Sequence, residues 1–277
     1  MDLNIFNYND YRALLRDFYK RKKKENPKFS HRYIAKKVGF TSSSFFSQII
    51  KVQSNISDRL IFRFAKLMKL NRQETEYFEL LVKYNQAKGH EEQKFFYEKI
   101  LSFHQHSARK LEARQYELLN KWYYIAIRQI ISIYPFRGDY KELAKMVVPA
   151  IRPEEAKKAI ELLKALNLIR KNAQGYFEWC EPSITTGEQS NAVGIQSYLL
   201  ETLDLAKGAL DRFPLTERSL STLSLSVSEE GLQTVKEKIK QFRKSLLECA
   251  ENDRDVDRVC HLNVQLFPMS RVISRRK

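Results

Sequence analysis

Twenty-one residues, Ser30 to Ile50, constrain this 277-residue chain more than any other stretch. They divide into a helix, a tight turn and a second helix. Ser30 precedes the first helix, where a hydroxyl can accept from an unpaired backbone N–H. Ala35 is small at the point where two helices would cross closely. Gly39 follows four residues later, where the chain must turn with φ above zero. Thr41 or Ser42 can cap the second helix, over about 42–51. Ile34 and Val38 on the first helix, and Phe45 and Ile49 on the second, are spaced to share one core. Two helices this short gain their stability from packing, so the flanking sequence must supply further apolar faces.

It does so. Residues 9–24 carry Tyr11, Leu14, Leu15, Phe18 and Tyr19 at helical spacing, and Asn26-Pro27 ends that helix. Ser57 can cap a helix bearing Leu60, Ile61, Phe64, Ala65, Leu67 and Met68, and about 72–87 forms another with Tyr77, Phe78, Leu81, Val82 and Tyr84. Only 8 Gly and 7 Pro in the whole chain favour helices over loop-rich β folds. The spacing from Ala35 to Gly39, with an apolar residue six positions on, is the helix-turn-helix layout. With its flanking helices it resembles the repressor-like DNA-binding domain of phage repressors. The resemblance implies that helix 42–51 enters the major groove.

Charge points the same way. The chain carries a net charge of +16, so a polyanion is the first partner to consider. Residues 1–90 hold 19 Lys and Arg against 8 Asp and Glu, residues 91–180 hold 16 against 11, and residues 181–277 hold 14 against 14. The excess is therefore N-terminal and fades along the chain. Candidate DNA contacts are Lys28, Ser30, Arg32, Lys36, Lys37, Thr41, Ser42, Ser43, Ser44, Ser47, Gln48 and Lys51. Gln48 can pair bidentately with adenine and the serines can meet bases or phosphates. The second helix has no Arg, so affinity must lean on phosphate contacts from Lys28, Arg32, Lys36, Lys37 and Lys51.

Further along, a helix is expected at about 91–106. Its His104 and His106 do not share a helix face, so no metal site is expected there. A long apolar helix is expected over 116–134, then a short one over 140–148 capped by Asp139, then one opened by Pro153. Leu168-Ile169-Arg170-Lys171 and Tyr176-Phe177-Glu178-Trp179 flank the turn Asn172-Ala173-Gln174-Gly175. Three helices and a hairpin resemble a winged helix. Glu154 and Glu155 in the first turn of its third helix would repel phosphate, so packing or dimerisation is the expected role. Pro182 to Gly187 is a break, followed by a helix over 188–212. Residues 221–228 and 259–267 alternate apolar and polar around a helix over 229–250, which predicts a βαβ unit. Two strands rarely suffice alone, so partners elsewhere in the chain or in a second subunit are expected.

No catalytic constellation, cofactor motif or metal spacing is evident. Asp253, Asp255 and Asp257 read as solvated loop acids. Cys180, Cys249 and Cys260 read as small buried hydrophobes in a reducing cytosol. No stretch is long and apolar enough for a transmembrane helix, and Met1-Asp2-Leu3-Asn4-Ile5 does not read as a signal peptide.

The segments Phe29-Ser30-His31-Arg32-Tyr33, Glu76 to Ala87, Ile184-Thr185-Thr186-Gly187 and Leu262-Asn263-Val264-Gln265-Leu266-Phe267-Pro268-Met269-Ser270 resemble a bacterial family abundant in Fibrobacter and Bdellovibrio-like predators. Its members pair an N-terminal helix-turn-helix with a C-terminal domain of unknown function. The resemblance implies a cytoplasmic transcriptional regulator. It supplies no ligand and no catalytic residue.

The expected fold is mainly α with a small α/β C-terminal part. A repressor-like helix-turn-helix domain (1–90) and a helical linker (91–115) precede a winged-helix-like module (116–183) and a helix plus βαβ region for dimerisation or sensing (184–277). The expected partners are double-stranded DNA, a second copy of the chain, and an unidentified small-molecule or protein effector. The rival expectation is a non-enzymatic signalling adaptor that uses the winged helix and βαβ unit to bind protein.

Overall fold

A computed structural model describes residues 4–103, 107–180 and 192–273. Among them the chain is mainly helical, with twelve α-helices and one two-stranded antiparallel sheet. It divides into two compact units: Met1–Tyr116 with Gln189–Gln196, and Glu117–Glu188 with Ser197–Lys277.

The first unit opens with a single 3-10 turn, Ile5–Asn7, and then α1, Tyr11–Glu25. The Asp10 carboxylate accepts from the Arg12 N–H and caps α1. α2 (His31–Val38) starts at Ser30, whose hydroxyl accepts from the Tyr33 N–H, and ends at Gly39 in the left-handed region, φ 82°. α3 spans Ser44–Ile50, α4 Asp58–Met68 and α5 Arg72–Gln86. Asn71 and Glu74 cap α5 reciprocally, each side chain accepting the other's backbone N–H. α6 (His90–Ser102) packs along α5 and places Ile100 in the core, so the segment after residue 90 belongs to this unit. α7 spans Ser107–Asn120.

Leu14, Leu15, Ile34, Val38, Ile49, Phe64, Phe78 and Leu81 are fully buried together, which is where helical spacing put them. One register differs. Phe46, at 1% exposure, and Ile49 fill the core, while Phe45 is half-buried against Phe40. The second helix starts at Ser44 rather than Ser42, and the pair three apart in sequence, 46 and 49, turns inward.

Gly39 is required in two ways. Its φ suits glycine, and the Arg63 guanidinium occupies the space that a Cβ would take while donating to the Val38 carbonyl at 2.8 Å. Gly39→Ala is expected to cost about 1–2 kcal/mol from the backbone alone, more if Arg63 is displaced. Chemical denaturation followed by far-UV circular dichroism checks this.

The second unit is built on α8 (Trp122–Ile133), α9 (Tyr140–Met146), α10 (Pro153–Ala165), β1 (Ile169–Lys171) and β2 (Phe177–Trp179). β1 and β2 pair Ile169 with Trp179 and Lys171 with Phe177. The single helix expected over 116–134 is interrupted at Lys121, whose backbone is extended (φ −138°, ψ 128°). Asp139 caps α9 as expected, accepting from the Glu142 N–H at 3.0 Å. Ile127, Leu143, Ala156, Ile160 and Leu163 form the core. Arg128 lies buried over the Trp179 ring, 4.4 Å from its centroid, and the indole N–H donates to the Arg128 carbonyl.

α11 (Ala192–Arg212) and α12 (Glu229–Asn252) follow, and here the βαβ expectation is corrected. Residues 219–228 and 253–267 run without strand pairing. Apart from the Ser228 carbonyl, which accepts from Leu232 as α12 opens, no backbone–backbone hydrogen bond joins either segment to another described residue. Alternation specifies a strand only when a neighbouring strand supplies the ladder, and the described residues offer neither segment one. α12 buries none of its residues. The cysteines are also corrected: Cys180 is half-buried and Cys249 and Cys260 are exposed, because the latter two lie on these uncovered segments.

Candidate nucleic-acid interface

The site is one face of the first unit, built from α2, the turn and α3. Ile34, Ala35 and Val38 turn α2 inward, so Arg32, Tyr33, Lys36 and Lys37 must face water, and all four are exposed. On α3 the inward Phe46 and Ile49 leave Ser44, Gln48 and Lys51 exposed and Ser47 half-buried. Thr41, Ser42 and Ser43 are exposed in the turn, and Lys28 is exposed just before α2.

Five cations therefore reach solvent from one short stretch. Lys28, Arg32, Lys36, Lys37 and Lys51 have no ion-pair partner among the described residues. The basic end of α1 differs. Arg21 and Lys22 pair with Glu25 at 3.0 and 2.6 Å, and these hydrogen bonds hold the Glu25 carboxyl below its usual pKa. Two of the four cations of the run Arg21 to Lys24 are thus engaged by Glu25, whereas none of the five on and beside α2 and α3 is held by an acid among the described residues.

The hydroxyls are already partly engaged. Ser30 serves as a cap. Ser42 accepts from the Ser44 N–H at 3.2 Å and its oxygen lies 2.7 Å from the Ser44 hydroxyl. The N-cap position of α3 is Ser43, without a side-chain cap, which corrects the expectation that Thr41 or Ser42 caps this helix. The Gln48 carbonyl oxygen receives a long bond of 3.4 Å from the Ser54 hydroxyl.

The loop after α3 is tied down from far along the chain. Gln86, at the end of α5, exchanges hydrogen bonds with the Ile56 backbone at 2.9 and 3.0 Å and receives the Tyr11 hydroxyl at 2.9 Å. Burial pushes the Tyr11 phenol up to about 12, so it stays a neutral donor. Arg12, buried at 8% exposure, donates to Asn55 at 2.6 Å. His31 lies edge-on to Phe46, and burial together with Lys23 keeps its imidazole below the usual range.

Two residues of this face were not singled out from the sequence. Tyr33 is 41% exposed among the cations, with the Lys37 ammonium 5.9 Å from its ring centroid. Its position follows once Ile34 and Val38 are assigned inward. Val52, just past α3, sits in the left-handed region at φ 62° and is 71% exposed. A β-branched residue is strained there, and nothing local in the sequence marks it.

The second unit presents Glu154 and Glu155 in the first turn of α10. Glu155 accepts from the Arg152 N–H at 2.9 Å and its side chain at 3.2 Å, and the side-chain bond does most to lower its pKa. Among the described residues no group of three or more His, Cys, Asp or Glu is placed to hold a metal ion, and no helix is long and apolar enough to cross a membrane. His104, His106 and Ile184-Thr185-Thr186-Gly187 lie outside the described residues.

Residues 103–269 match the family described as a domain of unknown function, DUF4423. The chain belongs to the DUF4423 family. No curated protein and no solved structure matches it. The DUF4423 match begins at the end of α6 and runs through α12, so it excludes the whole basic face on α2 and α3. What the DUF4423 region carries is the α8–α10 core with its hairpin, and the uncovered segments around α12.

Proposed function

We propose that this DUF4423 protein is a DNA-binding transcriptional regulator. Its α2–α3 pair acts as a repressor-like helix-turn-helix, and the rest of the chain dimerises and takes an effector. The observation that carries the reading is the set of five unpaired cations around a helix whose outward side chains are all uncharged hydrogen-bonding groups, save Lys51 at its end. Cations around such a helix suit phosphates, and serine and glutamine suit base edges. The second unit reads as a winged helix whose role is packing, because Glu154 and the Arg152-tethered Glu155 would meet phosphate repulsively. A second copy follows from geometry, since one small helix-turn-helix reads only a half-site.

The test is a titration of the full chain with duplex DNA across a range of salt. The affinity should fall steeply and linearly in log–log form. Affinity independent of salt, or no affinity, would sink the reading and leave the adaptor role. Within it, Gln48→Ala should cost about 1–3 kcal/mol on a selected site and little on random duplex. Equal loss on both would remove Gln48 as a base reader.

A further inference from the structure

Sixteen large apolar residues between Leu220 and Ile273 are exposed, whereas residues 4–103 expose only Tyr33, Val52, Phe62 and Phe95 in this class. A stable interface uses about 20–30 residues a side, so the apolar members alone approach that size. Apolar exposure concentrated on this scale in one stretch of the chain points to an interaction surface rather than ordinary surface scatter.

The extended segment over 259–267 is held to α11 through its polar side: Asn263, half-buried, donates to the Thr202 carbonyl at 2.9 Å, and His261 meets Tyr198 edge-on at 6.0 Å. The alternate residues Leu262, Val264 and Leu266 are left 56%, 41% and 40% exposed. Neither 219–228 nor 259–270 contains a Lys, Arg, Asp or Glu, so neither segment carries the charges that keep exposed edges single.

We infer that residues 219–273 are the surface on which two copies of this chain join, each completing the uncovered extended segments of the other and the α12 stripe Leu232, Val235, Ile239, Phe242 and Leu246. This locates the dimer of the proposed regulator, and it stands whether or not the chain binds DNA. The occupant must bring extended, uncharged, alternating apolar chain and an apolar helix stripe, and a second copy supplies both by two-fold symmetry. Two copies provide four extended segments and two helices, enough for a sheet that neither copy can build alone. Charge permits it: despite the overall +16, residues 219–273 hold eight acids and eight bases.

The test follows the mass and amide exchange of the full chain over a range of protein concentration. The expected mass is twice 32.8 kDa, with amides in 219–228 and 259–267 exchanging about tenfold or more slower once the dimer forms. Leu225→Glu with Val264→Glu should return the mass to one chain and release those amides, while amides in 122–163 keep wild-type protection and show that the second unit is still folded. A chain monomeric at every concentration would overturn the inference. So would a dimer in which these amides exchange fast, a double variant that still dimerises, or protection that persists in the monomer.

Discussion

Replacing Phe46 with alanine is expected to cost the first unit about 3–5 kcal/mol, the range for an aromatic deleted from a packed core. Phe46 is 1% exposed and touches Tyr19, His31 and Phe64 through ring contacts with centroids 5.2–6.1 Å apart. These rings come from α1, α2 and α4, so the cavity opens where three helices meet and cannot be filled by one neighbour. Set against the 5–15 kcal/mol that holds a typical domain, the variant should be close to unfolded at physiological temperature. Amide exchange over 11–86 reads the loss directly. Trp122 and Trp179, the only two tryptophans, lie in the second unit, so their fluorescence follows that unit separately. Phe45→Ala should cost clearly less, since Phe45 is only half-buried. The reverse order of the two variants would mean that α3 is rotated about its axis, with Phe45 in the core and Phe46 at its edge.

That comparison also marks how far the sequence could be read. Where the deciding interaction is local, residue identity was enough. Gly39 had to end α2, Asp139 had to cap α9, and the apolar spacing of α1, α4, α5 and α10 fixed their buried faces. The Phe45/Phe46 choice was ambiguous because it turns on whether α3 begins at Ser42 or Ser44, and a Ser-rich turn offers a cap at each. The interruption at Lys121 carries no glycine or proline to announce it. Arg12 reads as a surface residue until Asn55, forty-three positions away, is known to receive it. The C-terminal third failed for a deeper reason. Alternation at 221–228 and 259–267 describes the two sides of an extended segment, but a periodic pattern encodes the face of a strand and not its neighbour. In the inferred dimer, that neighbour lies in another molecule. The site was legible as a set of charges and hydroxyls. That Ser30 is occupied as a cap and Ser42 by Ser44, and that Gln86 and Tyr11 brace the loop beyond α3, came only with the fold.

The largest functional effect should come from neutralising three of the unpaired cations, Lys36→Gln, Lys37→Gln and Lys51→Gln together. Each phosphate contact releases about 0.9 of a counterion, which at physiological salt is worth roughly a fivefold gain in affinity. Three lost contacts should weaken DNA binding on the order of a hundredfold and lower the log–log salt slope by about 2–3. The loss should be the same on selected and random duplex, unlike that of Gln48→Ala, because phosphates carry no base identity. All three lysines are exposed and without an ion-pair partner among the described residues, so stability should move by no more than about 0.5 kcal/mol. Arg21→Gln with Lys22→Gln removes similar charge from α1, yet those side chains are held by Glu25. That pair should change the slope little. If it instead equalled the triple variant, binding would follow total charge, and the α2–α3 face would lose its claim to be the site.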